Sequence, residues 1–260
     1  MDEETPLERM LRDAWREPGL RPAFYKRLME SDVIVPVLAK EAEVTNGRLE
    51  AGTIQIVSLV RTNGPLAIPF FTSPARLFEA SPGGERCVVM PVRHLFEGRP
   101  DMHFYINPGS AWGREFCPWE VKSLLTTSGM AVVERQATSF AEATLREPEH
   151  GPESVLTALR TLYARNFDVR AAYIAERCDP NADKDGRLLI VVDLVDGGDQ
   201  VRALRETGTV ITESQEAAEP SFGVAVLRHD DSPVSRYFRE QAKPFYTIGL
   251  AGSIAAALKR

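Results

Sequence analysis

The sequence predicts an α+β protein of two domains, each a mostly antiparallel or mixed sheet with helices packed on it. Three observations carry that expectation. Helical periodicity alternates with short runs of β-branched residues along the chain. Both halves open on a helix and proceed to strands. The 260 residues also exceed what one core usually serves, since domains cluster near ~100–150 residues. The expected layout is a first domain over 1–136, a connector over 137–150 and a second domain over 151–260.

In the first half, Thr5-Pro6-Leu7-Glu8 has the form of a capping box with proline at the first helical position, and Leu7, Met10, Leu11, Ala14 and Trp15 follow at helical spacing. Glu17-Pro18-Gly19 stops that helix. A second helix fits residues 22–30, with Phe24 and Leu28 on one side, and it runs into an apolar strand over 33–38. Residues 53–60 are rich in β-branched side chains, and Asn63-Gly64-Pro65 marks a hairpin before 66–71, so these two segments are expected to pair antiparallel. Pro69 lacks a ladder donor and places its strand at an edge or bulge. Ser73-Pro74 starts a helix. Residues 87–90 are a strand, 92–96 a short helix, 103–106 a strand, and Pro118 opens a helix to 125.

Residues 131–133 read as a strand, and 137–145 as a helix or an extended connector. In the second half, Val155, Leu159 and Leu162 align on a helix that Asn166 ends. Strands over 169–176 and 187–195, a helix over 201–205, strands over 209–213 and 222–227 and a helix over 233–241 complete the reading. Lys243-Pro244-Phe245-Tyr246 pins the chain back onto the second sheet.

Composition excludes several classes. With 31 Lys and Arg against 37 Asp and Glu, the net charge of −6 offers no basic footprint for nucleic acid or anionic lipid. Cys87, Cys117 and Cys178 form no Cys-x-x-Cys pair and read as buried, reduced thiols. The N-terminus is acidic, and the apolar stretch over 248–258 is far short of a bilayer span. A cytoplasmic location without membrane contact is expected.

The familiar phosphate, nucleotide and hydrolase motifs are absent, so no cofactor is expected. His94, His103, His150 and His229 are isolated from one another and from cysteine at ligand spacing. Residues 181–186 open like a calcium loop, but Val192 stands where the bidentate glutamate belongs. No metal is expected.

The sharpest local signal is the corner at 103–125. Asn107, before a proline, is expected to be extended, Pro108 to preset a type II turn, and Gly109 to take positive φ. Phe70 and Phe71 point to opposite faces of one strand. With Phe104, Tyr105, Trp112, Phe116 and Trp119 they outline an aromatic groove or a core. Glu120 falls in the first turn of a helix, where the dipole favours a carboxylate. The candidate binding residues are therefore Phe70, Phe71, Asn107, Pro108, Gly109, Ser110, Trp112, Trp119 and Glu120, with no catalytic residue assigned.

Thr-Pro-Leu-Glu at 5–8, Arg-Pro-Ala-Phe-Tyr at 21–25, Ile-Pro-Phe-Phe-Thr-Ser at 68–73, Asn-Pro-Gly-Ser at 107–110 and Pro-Trp-Glu at 118–120 together resemble the enhanced serine sensitivity (SseB) family. Ala-Ala-Tyr-Ile at 171–174, Leu-Leu-Ile-Val-Val at 188–192 and Pro-Phe-Tyr at 244–246 extend the resemblance to that family's C-terminal domain. It implies a cytoplasmic bacterial α/β protein of two domains and transfers no catalytic residues. The family name refers to an amino-acid phenotype, which direct metabolite binding, altered enzyme regulation or an indirect effect would each produce. The reading favoured by the residues is a non-enzymatic protein-binding or adaptor protein whose partner is another protein. The alternative is an amino-acid-related sensor or enzyme with a small-molecule site in a cleft between domains.

Overall fold

The computed structural model describes residues 4–38, 44–45, 48–49, 55–56, 65–83, 85–126, 144–148, 151–178, 187–215 and 222–249. The expected strand at 131–133, the acidic run at 181–186, the turn residues Asn63 and Gly64, and His150 lie outside them. The chain is α+β and divides into two units: Met1–Arg16 with Ala23–Gly129, and Glu17–Pro22 with Met130–Arg260.

The first unit begins with α1 (Pro6–Arg16); the 3₁₀ turn that follows (Pro18–Leu20) belongs to the second unit, and α2 (Arg21–Met29) returns the chain to the first from Ala23. Strands β1 (Asp32–Leu38), β2 (Val44–Thr45), β3 (Arg48–Leu49), β4 (Gln55–Ile56) and β5 (Ala67–Phe70) follow. Next come α3 (Pro74–Ala80), β6 (Cys87–Pro91), α4 (Val92–Gly98), β7 (His103–Ile106), β8 (Arg114–Phe116) and α5 (Pro118–Leu125). β2 and β3 pair with each other. The other strands form two three-stranded sheets, ordered β4-β1-β6 and β5-β7-β8, joined by an antiparallel bridge between Ile34 and Phe71.

The expected hairpin between 53–60 and 66–71 is not formed by the described residues. β4 pairs with β1, and β5 pairs parallel with β7, Ala67 opposite His103 through Phe70 opposite Ile106. Burial explains the choice: all four β5 residues are buried, which suits a strand covered on both faces and reached by a crossover. Pro69 does sit in the terminal strand of its sheet. The core beneath is aromatic. Phe70, Phe96, Phe104 and Phe116 are all fully buried, with ring centroids from 4.7 Å for Phe96–Phe104 to 6.5 Å for Phe70–Phe104. Each such ring contributes ~1.5–3 kcal/mol by burial. Cys87 is exposed and Cys117 half-buried, against the expectation of buried thiols; Cys87 occupies an outward position of the alternating strand β6.

The second unit's sheet runs β12-β11-β10-β13, with β9 also on β10. Its elements in chain order are β9 (Thr144–Arg146), α6 (Glu153–Arg165), β10 (Val169–Cys178), β11 (Arg187–Leu194), α7 (Gln200–Ser214), β12 (Phe222–Val226), α8 (Pro233–Glu240) and β13 (Tyr246–Thr247). Helices α6 and α7 cover one face, packing Val155, Leu159, Tyr163, Ala203 and Val210 on Ala172, Ile190 and Val192. Phe238 of α8 covers the other, against Ala175, Leu189 and Val191. β11 is central and buried from Leu188 to Leu194, hence its apolar run from Leu188 to Val192, which Asp193 follows.

The strand expected at 209–213 is instead the second half of α7. Asp199 caps it by accepting from the Arg202 amide at 3.0 Å. Ala203, Thr207, Val210 and Ile211 are buried at helical spacing. The hydroxyls of Thr209 and Thr212 donate to the carbonyls of Arg205 and Gly208, so β-branched residues with weak helix preference are held in helix by packing. The helix also supplies the crossover that the parallel pair β11–β12 requires.

The Phe245-Tyr246 anchor forms as expected. β13 pairs with Ala171 and Ala172 of β10, and the Tyr246 hydroxyl donates to the Tyr163 carbonyl at 2.8 Å. Phe245 is half-buried, beside the Tyr163 ring at 6.3 Å and under the Arg160 guanidinium at 5.9 Å. Tyr246→Phe is expected to cost ~1 kcal/mol, the worth of one neutral hydrogen bond. Phe245→Ala is expected to cost ~2 kcal/mol, below the ~3–5 kcal/mol of a fully buried phenylalanine. Urea denaturation of both variants checks the order.

Candidate functional site

The Asn-Pro-Gly-Ser corner is a type II turn. The Ser110 amide donates to the Asn107 carbonyl at 3.1 Å, and Gly109 has φ +83°, as the turn demands. Asn107 departs from the expected extended backbone, with φ +47°, a left-handed conformation that asparagine tolerates better than most residues.

Its side chain shows what holds it there. Asn107 is 2% exposed; its Oδ1 accepts from the Thr72 amide at 3.0 Å, and its Nδ2 donates to Thr72 Oγ1 at 2.9 Å. The Thr72 hydroxyl passes the chain of bonds on to Glu8 Oε1 at 2.9 Å. Ser73 Oγ donates to that same oxygen at 2.8 Å, and Arg76 Nε lies 3.3 Å from it. Glu8 Oε2 accepts from the Thr5 amide at 2.8 Å, while Thr5 Oγ1 accepts from the Glu8 amide. One carboxylate thus closes the capping box of α1 and binds the start of α3. Burial would raise the Glu8 pKa, but hydrogen bonds from Thr5, Ser73 and Thr72 and the charge of Arg76 outweigh it and hold it below the ordinary glutamate value.

Glu120 belongs to a second internal network. Its Oε2 accepts from the Cys117 amide at 2.8 Å and from Cys117 Sγ at 3.1 Å, and its Oε1 pairs with Arg114. Arg114 also donates to the Tyr25 hydroxyl, and its guanidinium lies 5.1 Å from the Tyr25 ring centroid and 4.9 Å from that of Phe116. This caps α5 and fastens it to α2. Phe70, Phe71, Phe104 and Phe116 are core, which leaves the aromatic groove without four of its seven residues. Trp112 is half-buried beneath Arg16 at 4.9 Å, and Ser110 Oγ accepts from its amide. Trp119 is 58% exposed.

Three candidates, Phe71, Pro108 and Gly109, meet at a cleft of about 330 Å³ in the first unit. Its other walls are Pro36, Pro69, Leu77, Ala80 and Ser81, with Glu79 and Glu85. Leu77, Ala80 and the two glutamates carry no sequence motif; only Pro69, marked as an edge residue, pointed here. Among the described residues no group of three or more His, Cys, Asp or Glu side chains is placed to hold a metal ion, and no helix is long and apolar enough to cross a membrane. His103 pairs with Glu115 at 2.7 Å and His229 with Asp193 at 3.1 Å.

Fold and site define a two-unit α+β protein whose N-terminal half carries a small apolar cleft beside a hydrogen-bonded Asn-Pro-Gly corner. Residues 7–123 match the SseB protein N-terminal domain and residues 139–247 the SseB protein C-terminal domain. The chain belongs to the SseB family. It is 28% identical over 244 residues to Protein SseB of Escherichia coli (strain K12), covering 94% of this chain and 92% of that protein. Protein SseB of Shigella flexneri shows the same identity and coverage. No solved structure matches the chain.

Gly109→Ala is expected to cost ~1–2 kcal/mol, because a Cβ is disfavoured at this φ although no atom lies within 4 Å of it; chemical denaturation reads the loss. Glu8→Gln is expected to cost ~2 kcal/mol near neutral pH, typical of charge-assisted bonds. Since the folded-state pKa of Glu8 lies below its unfolded value, its contribution is complete above the unfolded pKa and is lost as pH falls through the folded one. The gap between parent and Glu8→Gln should therefore narrow from about pH 6 to about pH 3 in urea titrations.

Proposed function

We propose that this protein is a non-enzymatic, cytoplasmic protein-binding module, and that its docking surface is the first-unit cleft between α3 and the Asn107–Ser110 corner. The observation that carries the reading is the cleft itself, walled by Phe71, Leu77 and three prolines, Pro36, Pro69 and Pro108. Such a wall presents apolar surface and a rigid backbone. It suits a protein segment laid across it more than a reaction needing positioned acids and bases. The titratable groups of the corner are engaged elsewhere: Glu8 with Thr5, Thr72, Ser73 and Arg76, and Glu120 with Arg114 and Cys117. Glu8 serves as a fastener that holds the start of α3 and, through Thr72, the corner in place.

The full chain and a Leu77→Asp variant, matched for thermal stability, are each used to capture proteins from the native cell, with metabolites analysed from the same material. A discrete partner retained by the parent and lost from the variant is expected. An identical set of proteins on both overturns the assignment of the cleft.

A further inference from the structure

The charges and donors around the cleft are one-sided. Among the described residues its only ionisable lining residues are Glu79 and Glu85. The three prolines supply no backbone N–H groups. The end of α3 at Ala80 and Ser81 adds the carbonyl-rich pole of a helix. Among the described residues neither glutamate has a cation to itself. Arg76 donates to Glu79 at 2.7 Å while its Nε contacts Glu8, so one guanidinium is divided between two carboxylates. Glu85 accepts a neutral hydroxyl, that of Ser81, at 2.9 Å. Both glutamates are exposed and accessible to a ligand.

We infer that the cleft takes a basic, extended segment of a partner protein, which lays an apolar side chain on the half-buried Leu77 and Pro108 and sets an adjacent Lys or Arg against Glu79 and Glu85. The inference rests on the reading of the cleft as a docking surface and names what docks there. A donor-rich cation complements a rim that offers acceptors, and the hydrocarbon stem of Lys or Arg continues the apolar contact up to the charged edge. At about 330 Å³ the cleft is at the small end of ligand sites, room for a few side chains and not for a large cofactor.

The test uses the full chain and three fluorescein-labelled decapeptides of alternating Leu–Arg, Leu–Glu and Ser–Arg, read by fluorescence polarisation. The Leu–Arg peptide is expected to bind about tenfold more tightly than either other peptide, with affinity falling as salt rises. Glu79→Gln with Glu85→Gln should weaken it about tenfold. Glu30→Gln with Glu97→Gln changes the net charge equally at residues outside the cleft and should leave it unchanged. Equal weakening by both pairs would reduce the effect to diffuse attraction and overturn the inference. Equal binding of Leu–Arg and Leu–Glu, both lost in Leu77→Asp, overturns the basic partner and leaves the docking surface standing. Absence of binding by every peptide, or indifference of all three to Leu77→Asp, overturns both.

Discussion

The buried carboxylate of Glu8 is the constraint around which the first unit is arranged. It receives bonds from the start of its own helix, from the residues that follow β5, and from Arg76 of α3. Through Thr72 it reaches Asn107 at the end of β7. A charge 6% exposed is costly unless its lone pairs are occupied, and here three segments occupy them. The positive φ of Asn107 follows from the same arrangement. Its amide must meet Thr72 while its own backbone continues the ladder by donating to the Phe70 carbonyl at 2.9 Å.

The second unit relies on hydrocarbon where the first relies on charge. Tyr163 is buried between helix and sheet, its hydroxyl 3.0 Å from Thr207 Oγ1, and burial pushes its pKa well above the ordinary tyrosine value. Covering both faces of the sheet makes β11 apolar from Leu188 to Val192. Near the end of β11, Asp193 meets His229 and Arg170.

What the sequence made legible was local. The capping box at Thr5 and Glu8, the Ser73 cap, the positive φ of Gly109 and the helix ending at Asn166 each depend on residues a few positions apart. The family resemblance was likewise carried by short motifs. What escaped depended on distance along the chain or on packing. The bonds from Thr72 and Ser73 to Glu8 span 64 and 65 residues, and no spacing rule announces them. The parallel pairing of β5 with β7 was hidden behind a hairpin signal at Asn63-Gly64. α7 was hidden by its own Thr and Val content, because local preference there yields to the buried stripe facing the sheet. The cleft combined both difficulties: Pro36, Pro69, Leu77 and Pro108 meet only once two sheets and a helix are in place.

The ownership of residues Glu17–Pro22 bears on the order in which the molecule is made. They are drawn from the start of the chain yet belong to the second unit, whose sheet is closed by β13 at Tyr246–Thr247. The first unit's own span ends at Gly129, so during synthesis its elements are all present while those six residues still await their neighbours. The second unit must then close a loop that spans the whole first unit, from Gly19 to Ala158 and Leu162 of α6. Loop entropy grows only with the logarithm of length, but such non-local closure slows folding. Vectorial synthesis therefore gives the cleft-bearing unit a head start, and the emergence of the last strand completes the other.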